Sequence, residues 1–251
     1  MTPHEREFFL HNGYLRVEGA LAGDHLKGIQ QAFDQVWEAE GGEGNKRVAT
    51  HQLLKYRPFI GLIDHPPIVD LHRALFGRQT QLLSYDLLRQ GPHSAFPDRR
   101  WHRDFSFPGD TPLAVNTIIF LDDINEQTGP TRVVPRTHLG EHDVPKDKIT
   151  TPLEGEVAFP VAAGTAILIN AAIWHTGARN DSDGLRRGIY MYYGYWWLKQ
   201  YGSEQALPWQ ALEGASQERL ELLGVKMPGR DLHMYDPTDG RAPRETRPTS
   251  V

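Results

Sequence analysis

His102 and Asp104 stand two positions apart in the stretch RRWHRDFSF, residues 99–107, and His175 lies far downstream in INAAIWHTGARNDSDGLRRGIY. An imidazole and a carboxylate at i and i+2 of an extended segment project to the same side, with Trp101 and Arg103 on the other. By itself an H-x-D pair is as readily an ordinary hydrogen-bonded couple, because three-residue patterns arise often by chance. A second histidine changes the chemistry. Two imidazoles and one carboxylate on one side of a divalent metal leave coordination positions open, as in non-haem Fe(II) oxygenases, whereas a structural site tends to close its coordination. Arg186 follows His175 at the start of another β-rich run. Its planar, permanently charged fork suits a carboxylate. Arg187 beside it must point to the opposite face, and the alternation with Gly188 and Tyr190 selects Arg186 as the pocket-facing member.

These residues need a scaffold, and composition bounds it. The chain has 251 residues, 39% hydrophobic and 24% charged, with a formal net charge of −5. This is ordinary for a globular protein. The charge gives no case for nucleic acid, which usually meets a basic stripe, so a small-molecule partner is expected and the oligomeric state is left open. There is no cysteine, which removes disulfides, thiolate metal sites and cysteine nucleophiles and suits a reducing compartment. No apolar run approaches a membrane span, and the first residues lack a signal-peptide pattern. A cytoplasmic protein without a membrane partner is the expectation.

The pattern changes along the chain. Leu26, Ile29, Phe33, Val36 and Trp37 recur at helical spacing, predicting a helix over 24–40 capped by Asp24 and stopped by the glycines at 41 and 42. HPPIVDLHRALFG predicts a second helix ending at Gly77. From about 81 to 198 short β-rich runs alternate with turn residues: QLLSYDLLR, AVNTIIFLDD, TRVVP, GEVAFP, TAILIN, IWHTGAR and RRGIYMYYGYWWL. This is the pattern of a sandwich or small barrel. A helix over about 208–223 and a Pro- and Arg-rich tail complete one domain spanning 1–251, with a helical part to about 80, a β core to about 200 and a C-terminal helix and tail. The segment 41–57 is read as a lid over the pocket mouth. His138 and His142, four apart in a polar, Gly-containing stretch, predict a loop rather than a second metal site.

The blocks FFLHNGYLRVEGAL, WHRD, LDDINEQTGPTRVVPRTH and IWHTGARNDS, with Arg186 after them, resemble in order and spacing the phytanoyl-CoA dioxygenase family of Fe(II)- and 2-oxoglutarate-dependent oxygenases. The resemblance implies a mainly β fold with flanking helices, built on a double-stranded β-helix of the jelly-roll or cupin kind. It implies His102, Asp104 and His175 as iron ligands, Arg186 as the partner of the distal carboxylate of 2-oxoglutarate, and Asn116 as a further co-substrate contact. Either Ser84 or Tyr85 adds another. Iron(II), 2-oxoglutarate and O2 would together oxidise, most simply hydroxylate, an unactivated C–H bond of a small or medium-sized metabolite, with release of succinate and CO2. Desaturation, epoxidation and ring closure are branches of the same chemistry. Asp104 retains the carboxylate that related halogenases replace, which disfavours halogenation. Two positions depart from the family pattern: Arg136 stands where a glycine is usual, and Gly177 where a hydroxyl is common. The competing reading is a non-catalytic metal- or ligand-binding β-helix protein. A zinc hydrolase is a weaker one, because no glutamate stands beside the motif as a general base.

Overall fold

The computed structural model describes residues 1–41, 47–198, 200 and 205–226, without the side chain of Arg47. Its helices come first: α1 (Pro3–Asn12), α2 (Gly23–Ala39), α3 (Thr50–Leu53), α4 (Arg57–Ile60) and α5 (Pro66–Phe76). Two short strands lie among them, β1 (Tyr14–Val17) and β2 (Arg47–Val48), and the β core follows: β3 (Thr80–Gln90), β4 (Ala114–Phe120), β5 (Arg132–Val134), β6 (Val157–Ala158), β7 (Ala166–Asn170), β8 (Trp174–Thr176) and β9 (Arg186–Tyr195). Every β-rich run picked out of the sequence contains a strand, because period-2 alternation is a strong signal where one face of a sheet meets helices and the other a barrel interior.

The strands form a six-stranded sheet in the order β1-β7-β4-β9-β3-β2 and a three-stranded sheet in the order β6-β5-β8. All pairings are antiparallel. This is a double-stranded β-helix. One face of the large sheet presents Tyr85, Leu87, Val115, Ile119, Leu168, Ile189, Met191 and Tyr193 to a core shared with Ile29, Phe33, Val36 and Trp37 of α2 and with α4 and α5. Between the sheets a second, smaller core joins Ile118, Phe120, Ile167 and Ile169 to Val133, Phe159 and Val161. Among the described residues no helix is long and apolar enough to cross a membrane.

Four local expectations change. Asp24 is not the cap of α2: Ala22 holds that position without a side-chain bond, and Asp24 lies in the first turn, where its charge complements the helix dipole and pairs with Lys27 at 3.7 Å. The helix expected over 208–223 is two short ones, α6 (Trp209–Leu212) and α7 (Gln217–Leu222), divided at Gly214 in the left-handed conformation (φ +62°) and restarted by Ser216, whose hydroxyl accepts from the Arg219 amide. Much of the segment expected to be a lid is packed structure: Arg47–Val48 pairs with β3, and Val48, Leu53 and Leu54 are buried, while positions 42–46 lie outside the described residues. The tail beyond 226 also lies outside them. Finally, β1 pairs with β7 inside the large sheet, so the front of the chain is less purely helical than its periodicity implied.

Candidate metal and co-substrate site

The stretch around His102 is extended but is a loop and not a strand, fastened at several points to β8 and the turn before it. His102 and His175 exchange both backbone hydrogen bonds at 3.0 Å as an isolated antiparallel bridge, and the amides of Asp104 and Phe105 both donate to the Ala171 carbonyl, at 2.9 and 3.0 Å. The Arg100 amide donates to Thr176 Oγ1 at 2.7 Å. The alternation still holds. Trp101 is buried and its indole donates to the Thr151 carbonyl, while the Arg103 guanidinium turns away and donates to the carbonyls of Thr137, Gly140 and His142 beneath the Trp174 ring. Arg103 is therefore an anchor for the 137–142 loop. Arg99 is equally committed, to Glu156 and Asp98.

On the other side of the loop His102, Asp104 and His175 converge, each offering one ligand atom within 4.8 Å of the others. His102 Nδ1 lies 2.8 Å from the Arg100 carbonyl and His175 Nδ1 lies 3.0 Å from the Ile173 carbonyl. A carbonyl only accepts, so each Nδ1 carries the proton and each Nε2 presents a lone pair. Those Nε2 atoms stand 3.6 and 3.5 Å from the two carboxylate oxygens of Asp104. Lone pairs aimed at lone pairs repel unless a cation lies between them, and neutral imidazole is the form that binds a metal. The His102 pKa is lowered, first by burial and then by the neighbouring His175, which favours that form.

Arg186 lies on the interior face of β9, 4% exposed. Its Nε donates to the Gly129 carbonyl at 2.9 Å, its Nη2 reaches Thr131 Oγ1 at 3.5 Å, and the guanidinium lies 5.5 Å from the centre of the Phe120 ring. Gly129 has φ +84°, and a Cβ there would lie 2.3 Å from the Arg179 carbonyl oxygen, so a glycine is needed to bring this carbonyl to Arg186. Among the described residues no carboxylate is within 4.0 Å of Arg186. Arg187 points the other way and is saturated by Asp122 and Asp34, at 2.7 and 2.8 Å. A buried cation without an anion is costly, which makes Arg186 the candidate anion site of the barrel interior.

Asn116 on β4 shares that interior with Ile118 and Phe120, and its Oδ1 is buried without a hydrogen-bond partner. Of the two candidates on β3, Ser84 shares the interior side, pairing across the sheet with Tyr192 and bonding to Asp86 at 2.9 Å; Tyr85 packs among the helices, its hydroxyl donating to the Phe59 carbonyl. Two residues escaped the sequence reading. Thr131 places a hydroxyl beside Arg186, and Tyr192 donates its hydroxyl to Asp104 Oδ2 at 2.6 Å. Parity on β9 with Arg186 put Tyr192 on the interior face, but nothing in the sequence joined it to a residue 88 positions earlier. His138 is buried, in a single 3-10 turn within the expected loop, with Nε2 on the Leu10 carbonyl; His142 is exposed, and the two form no second site.

The His102–Asp104–His175 donor set suits a divalent metal. The phytanoyl-CoA dioxygenase (PhyH) family model matches residues 9–188. The L-proline trans-4-hydroxylase of Streptomyces griseoviridis is 28% identical over 156 residues, covering 48% of this chain and 57% of that protein; a dioxygenase of Aspergillus terreus is 28% identical over 138 residues, 51% and 46%. The chain thus spans about half the length of these curated relatives. Among solved structures, HygX from Streptomyces hygroscopicus with nickel and 2-oxoglutarate bound superposes with a TM-score of 0.69 at 16% identity, covering 80% of this chain and 90% of that one. The non-heme alpha ketoglutarate dependent carbocyclase SnoK from nogalamycin biosynthesis gives a TM-score of 0.64 at 22% identity, covering 78% and 84%. These likenesses establish the fold, and the family match, which runs over most of the chain and spans all three metal-site residues, places this protein in the phytanoyl-CoA dioxygenase family.

Proposed function

We propose that this chain is an Fe(II)- and 2-oxoglutarate-dependent dioxygenase that oxidises, most simply by hydroxylation, a C–H bond of a small or medium-sized metabolite in the cytoplasm, with its residues forming one catalytic domain. The observation that carries the proposal is the pairing of the His102–Asp104–His175 cluster with a buried, carboxylate-free Arg186 on the same barrel interior. A metal-binding module without co-substrate has no use for that second feature.

His102 and His175 would hold iron through Nε2, and Asp104 through a carboxylate oxygen. Bound iron supplies O2 activation coupled to oxidative decarboxylation of 2-oxoglutarate to succinate and CO2. The chain's part is positioning and exclusion. Arg186, with the Thr131 hydroxyl beside it, would receive the distal carboxylate, and Thr131 would stand in for the hydroxyl that Gly177 lacks. Asn116 would meet the co-substrate from β4. The apolar wall of Ile118, Phe120 and Ile167 would keep water from the bound anion, strengthening its attraction to Arg186.

Support for a biosynthetic substrate comes from the relatives: a proline hydroxylase, fungal dioxygenases and a carbocyclase of nogalamycin biosynthesis. The test is succinate release by purified protein with Fe(II), 2-oxoglutarate and O2 across amino acids, polyketides and aminoglycosides, against a metal-free control. Metal- and substrate-dependent succinate supports the reading; none above control in any class, from protein that binds neither Fe(II) nor 2-oxoglutarate, contradicts it.

A further inference from the structure

The strand that carries Arg186 also carries a residue that acts on the opposite end of the site. Arg186, Gly188, Tyr190 and Tyr192 alternate along the interior face of β9, and Tyr192 lies level with Ser84 on β3 and Asn116 on β4. Its ring is buried against Leu83, Ala114 and Ala171, which hold the phenol in one rotamer. Phe105, only partly buried, meets the ring edge-on at 5.9 Å between ring centres and is not needed for that restraint. Its hydroxyl is thereby delivered to Asp104 Oδ2 at 2.6 Å, a short, charge-assisted hydrogen bond.

An aspartate can bind a divalent metal through one oxygen or chelate it through both. The second mode occupies an additional position, which a bidentate co-substrate and O2 both need. Nothing in the loop backbone selects between the modes: the Asp104 amide fixes the main chain on Ala171 but leaves the carboxylate to rotate. Among the described residues the phenol of Tyr192 is the group that hydrogen-bonds it. A hydroxyl proton committed to Oδ2 draws electron density from that oxygen and resists its swing toward a metal, so Oδ1 is left as the donor.

We propose that Tyr192 is a positioning residue that holds Asp104 in one-oxygen coordination and thereby keeps a metal position open for 2-oxoglutarate. The inference rests on the proposed function, and it concerns how the site is kept open. It predicts an effect on co-substrate affinity that is separable from metal affinity.

The experiment compares wild type, Tyr192→Phe and Phe105→Leu, each loaded with Co(II), by visible absorption, by metal titration and by titration with 2-oxoglutarate, with thermal unfolding to confirm that each is folded. In Tyr192→Phe the Co(II) spectrum should change, metal affinity should stay within about threefold of wild type or tighten, as expected for added chelation, and 2-oxoglutarate should bind at least about tenfold more weakly. Phe105→Leu, which alters the packing and keeps the hydroxyl, should leave all three readings near wild type. An unchanged spectrum with unchanged 2-oxoglutarate affinity in Tyr192→Phe overturns the inference, as does a collapse of metal affinity in that variant, or Phe105→Leu reproducing its changes. If wild type itself fails to bind Co(II), the proposed function falls and this inference with it; if wild type binds and Tyr192→Phe behaves like it, this inference alone falls.

Discussion

Arg186 and Arg187 are neighbours in sequence and opposites in circumstance. Arg187 faces the helices and is neutralised by two aspartates; Arg186 faces the barrel interior and has none within 4.0 Å among the described residues. The difference extends over the two faces of the large sheet. Toward α2, α4 and α5 the side chains are mostly apolar; the hydroxyls of Tyr85 and Tyr193 are spent on backbone carbonyls, while Trp37 Nε1 and His72 Nδ1 are buried without hydrogen-bond partners among the described residues. Toward the interior, Asn116 Oδ1 is unsatisfied and three lone pairs meet at His102, Asp104 and His175. Natural structures satisfy nearly all buried polar groups, and single unsatisfied atoms occur here on both faces. What sets the interior apart is a buried guanidinium without a carboxylate together with three converging metal-ligand atoms, the basis for the proposal that this face binds.

Substitutions should separate the two faces. On the interior, Asp104→Ala should abolish succinate release and lower Fe(II) affinity by more than the roughly 10- to 100-fold typical of removing a residue outside the metal's own ligands, with little change in unfolding; metal titration and thermal unfolding on the same sample check both. On the helix face, Phe33→Ala removes a fully buried ring and should cost about 3 to 5 kcal/mol of stability, while the protein that remains folded keeps its Fe(II) affinity. Denaturant unfolding with parallel metal titration would show it. A Phe33 variant that lost metal affinity while still folded would blur the distinction between the faces.

A pH experiment sharpens the same comparison. His72, on α5, is fully buried on the helix side, bonded to Thr117 Oγ1 at 2.9 Å, and burial pushes its pKa down to about 3. In the unfolded chain it titrates near 6.5. The folded protein therefore keeps His72 neutral while the unfolded chain takes up a proton. The stabilisation is complete above about pH 6.5 and is lost as pH falls toward 3, by at most about 1.4 kcal/mol per pH unit. His25, His102 and His138 are shifted in the same direction, so denaturant unfolding between pH 6.5 and 5 should show His72→Gln with a reduced slope, not a flat one.

The smallest effect belongs to the turn after β5. Arg136 holds φ +68°, the left-handed conformation that costs a residue with a Cβ roughly 1 kcal/mol or more. Arg136→Gly should raise stability by about 1 kcal/mol, less the entropy a glycine adds to the unfolded chain, and leave metal and co-substrate binding unchanged. Its position was legible in the sequence, because arginine stands there where the family has glycine.

Legibility followed the range of the interactions. The strands, the bounds of α2 and α5 and the sidedness of Arg186 all rest on local periodicity, and they stand as expected. The cap of α2 and the break at Gly214 differ from expectation because a residue type allows a role without requiring it: Asp24 can cap, yet lies two positions past Ala22, which holds the cap. The stretch at His102 was only partly legible, for a different reason. Its extended alternation is real, but only one residue pairs, and the rest is held by Ala171, Ile149 and Thr176, which lie far away in sequence. The same holds for Thr131 beside Arg186 and Tyr192 on Asp104, contacts that exist only once the sheets have closed.

The central claim is that the interior face, and not the helix face, is the one that binds. The most direct measurement is an anaerobic titration of the Fe(II)-loaded protein with 2-oxoglutarate, followed by the visible absorption of the complex, in wild type, Arg186→Met and Arg187→Met. Arg186→Met should weaken 2-oxoglutarate binding by roughly 2 to 5 kcal/mol, the range for removing one partner of a buried charge pair, with Fe(II) affinity retained. Arg187→Met should bind 2-oxoglutarate like wild type and unfold more easily, having left Asp122 and Asp34 without their cation. Normal co-substrate binding in Arg186→Met together with impaired binding in Arg187→Met would contradict the account.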